Sequence, residues 1–154
     1  MPNPHLNGFL QQFREIQPKF SRLFTRMLEQ ANLTQPQYAV LLELVQSAPE
    51  PMSMTAISCK LYITKPAVTS LVDRLEKNRF LKRLDHPHDR RISLLQILAP
   101  GKKVVEKINT KVLNLIAKSA HEFNQAERNT VQKFYSVLSD NLDADLNYPK
   151  GGRG

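Results

Sequence analysis

From Ser53 to Leu98 the chain reads as helix, turn, helix and then a basic two-stranded tongue, and this order constrains the fold more than any other feature. Its centre, Thr64 to Lys77, reads T-K-P-A-V-T-S-L-V-D-R-L-E-K. Thr64 suits an N-cap, accepting a hydrogen bond from an otherwise unpaired first-turn amide, and Pro66 falls where it loses no helix bond. Val68, Leu71, Val72 and Leu75 recur at i, i+3, i+4 and i+7, which places them on one buried stripe. The opposite face carries Pro66, Thr69, Ser70, Asp73 and Arg74, with Lys65 beside it at the amino end. Upstream, S-M-T-A-I-S-C-K-L from Ser53 makes barely two turns, with Ile57 and Leu61 four apart, and Tyr62-Ile63 leads directly into Thr64. Two helices with so short a joint predict a helix-turn-helix. Downstream, Phe80 to Leu84 predicts a strand, Asp85-His86-Pro87-His88-Asp89 a polar turn, and Ile92 to Ile97 a returning strand. The hairpin forms a wing.

The net charge of +8 is concentrated near this unit. Residues 60 to 91 hold nine Lys or Arg against four Asp or Glu, and residues 102 to 118 hold five Lys against one Glu. Clustered positive charge beside a groove-sized helix is the electrostatic footprint of a duplex DNA binder. An α-helix fits the major groove, so Lys65, Thr69, Ser70 and Arg74 are the predicted base or phosphate contacts, and Pro66 and Ala67 would lie against a thymine methyl. A wing beside such a helix reaches the neighbouring minor groove, where a guanidinium of Arg90 or Arg91 is favoured in A·T-rich tracts. The competing reading is a winged-helix interaction module whose basic face docks an acidic protein partner.

The rest of the chain predicts helices around that head. Residues 1 to 8, with Pro2, Pro4 and Gly8, are expected to be a loose arm. From Phe9 to Ala31 an aromatic-rich stripe (Phe9, Phe13, Ile16, Phe20, Leu23, Phe24, Met27, Leu28) follows a helical period, with a kink near Arg14 or a fresh start expected at Pro18. The stripe is longer than one small winged domain can cover, which points to a core shared with a second subunit. Thr34-Gln35-Pro36-Gln37 has the form of a capping box before Y-A-V-L-L-E-L-V, and Pro49 and Pro51 hold the next link extended. After the wing, Val104, Val105, Ile108, Val112, Leu115 and Ile116 mark a long helix. Asn124 to Glu127 suits a cap for the last helix, whose stripe is Val131, Phe134, Tyr135, Leu138 and Leu142. Residues 147 to 154 are expected to be disordered. The predicted organisation is thus an arm (1–8), a dimerisation helix (9–31), a winged helix-turn-helix domain (32–99), dimerisation helices (100–146) and a tail (147–154). The fold class is mostly α with a small β-hairpin wing.

A membrane partner is not expected, since no apolar run approaches the roughly 18 residues of a span. The start lacks the charged and apolar regions of a signal peptide, so a cytoplasmic protein is expected. No convergent catalytic set and no Gly-rich phosphate loop can be assembled, so neither an enzyme nor a cofactor is expected. Cys59, the single cysteine, is expected to be small buried filler. His86 and His88 suggest a metal, but an exposed wing tip gives no closed ligand shell, and no metal is expected there.

The run L-V-D-R-L-E-K-N-R-F-L-K-R followed by D-H-P-H-D-R-R-I-S-L-L-Q-I-L resembles the MarR family of winged helix-turn-helix transcriptional regulators. The likeness extends over roughly residues 9 to 146. The family's Thr-containing step into the helix after the wing is replaced here by Leu98-Ala99-Pro100-Gly101-Lys102. The resemblance implies that Arg91 enters the minor groove, that Asp89 braces it, and that Arg90 lies on the DNA backbone. It also implies a homodimeric repressor bound to a pseudo-palindromic operator. A small aromatic or phenolic effector would relieve it, with Phe20, Phe24 and Tyr38 as lining residues.

Overall fold

Each helix of the reading head starts where a side chain can cap it. The computed structural model describes residues 4–146, with side chains from residue 6 onward. In α2 (Gln35–Ser47), Thr34 Oγ1 accepts from the Gln37 amide while the Gln37 side chain accepts from the Thr34 amide, which closes the expected capping box. Ser53 caps α3 (Met54–Leu61) and Thr64 caps α4 (Lys65–Lys77), each accepting from the amide three residues on. The joint between α3 and α4 is held from both sides by Ser58: its carbonyl accepts from the Ile63 amide at 3.2 Å, and its hydroxyl donates to the Ile63 carbonyl at 2.6 Å. Tyr62 takes the left-handed conformation there, with φ 54°.

The sheet has one strand more than the hairpin. β2 (Leu81–Asp85) and β3 (Ser93–Ile97) pair antiparallel, Leu81 opposite Ile97 and Asp85 opposite Ser93, while β1 (Met52–Ser53) pairs with the other edge of β3. A two-residue strand has too little length to show a period, which is why no pattern announced it. The core gathers beneath: Val68, Val72 and Leu75 of α4 are fully buried with Leu41 and Leu44 of α2, Ile57 of α3 and Leu95 of β3.

Two boundaries differ from expectation. α1 (Pro4–Glu29) begins at Pro4, where the missing N–H falls among donors that have no helical partner anyway. Residues 4–8, expected in the arm, are therefore helical. Pro18 neither ends α1 nor restarts it. The surrounding side chains are exposed, so the carbonyl that Pro18 leaves unbonded meets water rather than a dry interior. Residues 1–3 and the tail expected to be disordered, 147–154, lie outside the described residues.

The chain divides into two compact units, Met1–Ile108 and Asn109–Gly154. The predicted limit of the winged domain at residue 99 falls short of this division, because the opening turns of α5 (Ala99–Ala120) belong to the first unit's core. Val105 and Ile108 are buried there, and buried Gly101 lies against the Phe80 backbone. Leu98 donates to the Phe80 carbonyl at 2.9 Å, which ties the residue before α5 to the segment before β2. In the second unit, α6 (Gln125–Asp145) starts from a capping box in which Asn124 and Glu127 accept from each other's amides.

Much of the apolar surface stays uncovered in one chain. Phe9, Phe13, Ile16 and Phe20 of α1 are exposed, and so, within the second unit, are Leu113, Ile116, Phe134, Tyr135 and Leu142. Among the described residues no helix is long and apolar enough to cross a membrane.

Candidate nucleic-acid interface

The outer face of α4 is laid out as its sequence requires. Lys65, Pro66, Thr69, Ser70 and Arg74 are exposed and Ala67 is half-buried, while the same helix buries Val68, Val72 and Leu75. Thr69 Oγ1 donates to the Lys65 carbonyl at 3.1 Å, so its proton is committed to the helix and its lone pairs and methyl group remain for a partner. Among the charges on this face, Asp73 is the one that phosphate would repel.

Arg83 of β2 answers that charge, and the sequence reading missed it. Its guanidinium donates to Asp73 Oδ1 at 2.6 Å and to Glu76 Oε2, while its backbone amide donates to Glu76 Oε1 at 3.2 Å. The hydrogen bond to Asp73, reinforced by the charges of both carboxylates, raises the Arg83 pKa above its usual value. The three residues bolt the wing to the recognition helix. Asp73 and Glu76 lie three apart on one helical face, but only the hairpin register brings Arg83 across to them.

At the wing tip, the Asp89 carboxylate accepts from the Arg91 amide and Nε at 3.0 Å each, and from Arg91 Nη2 at 3.1 Å. This fork holds the Asp89 carboxyl below its usual pKa and raises that of Arg91. Arg91 keeps 89% of its side-chain surface in solvent, and Arg90 is exposed beside it. The tip presents two guanidinium groups, one of them pre-oriented. His86 Nδ1 accepts from the amides of His88 and Asp89, both at 3.2 Å, which gives this histidine a structural use inside the turn.

Phe20, Phe24 and Tyr38 come together as an aromatic ladder. Phe20 and Phe24 stack at 5.9 Å, and Tyr38 meets Phe24 edge-on at 5.4 Å. Burial raises the Tyr38 pKa. Cys59, expected to be filler, is exposed instead. Ile57 occupies the inward position of α3, and two residues on the helix has turned about 200°, which carries Cys59 to the outside.

A helix-turn-helix with a polar and cationic outer face, locked to a β-hairpin that ends in paired arginines, defines the winged helix-turn-helix class of DNA-binding domain. Residues 33–93 match the model of the MarR family, about two fifths of the chain. It is 36% identical over 95 residues to YhbI of Bacillus subtilis, an HTH-type transcriptional regulator; the match covers 61% of this chain and 60% of YhbI. It is 22% identical over 137 residues to YetL of the same organism, an HTH-type transcriptional repressor, covering 89% of this chain and 81% of that one. Among solved structures, a mutant of S. aureus MepR bound to oligodeoxyribonucleotide superimposes with a TM-score of 0.67 at 20% identity, over 87% of this chain and 97% of that one.

Proposed function

We propose that this chain is a homodimeric transcriptional regulator that binds duplex DNA and represses by occluding a promoter. The observation that carries the reading is the outward face of α4 together with the braced Arg91 tip: one cationic helix of groove width and one guanidinium set beside it. The likeness to a solved structure bound to an oligodeoxyribonucleotide supports it, as does the relative named a repressor. In this reading Lys65, Thr69, Ser70 and Arg74 meet base edges or phosphates, Pro66 and Ala67 lie on a thymine methyl, and Arg90 holds the backbone while Arg91 enters the minor groove. Two copies read a pseudo-palindrome, because a two-fold dimer requires a two-fold site. A small aromatic or phenolic effector acts at the Phe20, Phe24 and Tyr38 ladder, and it must favour one spacing of the two heads to shift the equilibrium. The protein is cytoplasmic, needs no cofactor and performs no catalysis.

The reading is tested at the wing. Replacing Arg90 and Arg91 with Ala weakens binding to a selected duplex by about 1 to 3 kcal/mol and flattens the salt dependence by about 0.9 per lost phosphate contact in the log-log slope. An acidic protein partner instead predicts no measurable affinity for duplex DNA in either protein.

A further inference from the structure

The wing tip contains a histidine whose ring is spent inside the turn. We propose that His86 is a positioning residue of the DNA-binding wing: its Nδ1 lone pair organises the turn that holds Asp89, and through Asp89 it sets the direction of Arg91. The inference rests on the reading that the wing engages DNA.

The geometry leaves little freedom. His86 Nδ1 accepts from the backbone amides of His88 and Asp89, each at 3.2 Å, so both donors of the turn converge on one ring nitrogen. The His86 amide donates to the Ile92 carbonyl at 3.3 Å and the Ile92 amide to the Asp89 carbonyl at 3.0 Å, which closes the turn from the strand side. The Asp89 carboxylate then takes the three hydrogen bonds from Arg91. Turns of this kind are ordinarily organised by the side-chain oxygen of Asp or Asn accepting from amides two or three residues on. The imidazole Nδ1 of His86 stands in for that oxygen.

An Nδ1 that accepts two hydrogen bonds cannot carry a proton, so the neutral ring must hold its proton on Nε2. The lone-pair role is separable from size and aromaticity. Asn supplies an acceptor at the corresponding place; Ala supplies none. His86 and Arg91 act in series, which makes their effects on DNA binding non-additive.

The test has a readout on the free protein and one on the complex. Nitrogen-15 NMR of the intact protein is expected to find His86 as the Nε2–H tautomer, with Asp89 amide exchange slowed in the wild type and in H86N but accelerated in H86A. Against a duplex recovered by selection, H86A is expected to weaken binding about three- to tenfold, as the loss of one or two modest hydrogen bonds allows. H86N should stay within about twofold of the wild type, since it restores an acceptor. In an R91A background H86A should cause no further loss. An Nδ1–H tautomer, or fast Asp89 exchange in the wild type, overturns the assignment. So does H86N failing as badly as H86A, or H86A binding like the wild type while R91A is impaired. If R91A itself binds normally, the wing reading fails, and the tautomer and exchange data still decide what His86 does in the turn.

Discussion

Gly101 occupies a position that has no room for a side chain. A Cβ there would overlap the Phe80 carbonyl oxygen and come within 3.1 Å of its carbon, and both are backbone atoms already fixed by the Leu98 hydrogen bond. Replacing Gly101 with Ala should therefore cost about 1 to 3 kcal/mol, the range for overpacking a site that cannot relax, measured by urea denaturation. An unchanged midpoint would mean that the start of α5 is looser than described. Arg79 has the opposite character: it holds φ 58°, with its amide donating to the Glu76 carbonyl and the Phe80 amide to the Leu75 carbonyl, a helix ending that usually selects glycine. The sequence concealed both facts. Nothing in L-A-P-G-K reveals that this glycine faces the carbonyl of Phe80, 21 residues earlier, and nothing in N-R-F marks the arginine as left-handed.

Among the elements, α4 was the most readable, because its cap, its proline and its apolar stripe agree with one another and with the buried set found in the fold. The hairpin was readable too, since two short apolar-rich runs flank the polar turn Asp85 to Asp89. The Asp73–Arg83–Glu76 connection was not, because separations of 7 and 10 residues become contacts only once α4 and β2 are packed. Arg83 is partly exposed, so its effect is expected on geometry more than on stability. Replacing Arg83 with Ala should reduce duplex affinity several-fold, by up to about 1 kcal/mol, with little change in unfolding midpoint. In an Asp73→Asn, Glu76→Gln background the same replacement should lose most of that effect, because the bolt is already open. Equal losses in both backgrounds would make Arg83 a direct phosphate contact instead. Cys59 marks the limit of composition as a guide: a free cysteine is usually buried, but the position on α3 decided otherwise.

For the whole molecule, the apolar stripes of α1, α5 and α6 were the clearest forecast of assembly, and they remain exposed on the single chain. Exposed phenylalanines and isoleucines at such density on a chain of net charge +8 fit an interface rather than a solvated face. Charged replacements within one stripe, Phe13→Glu with Ile16→Glu, should convert the proposed dimer to monomer in analytical ultracentrifugation while leaving the buried set around Val68 and Leu75 intact. Retention of the dimer would move the interface to the second unit's helices.

In the proposed regulator two cationic heads are held at a distance set by the pitch of DNA, which selection from random duplex measures. The recovered sequences should share an inverted repeat whose half-sites lie about 10 base pairs apart, centre to centre, or a multiple of that. Recovery of single, unpaired half-sites, or of no shared sequence at all, would contradict it.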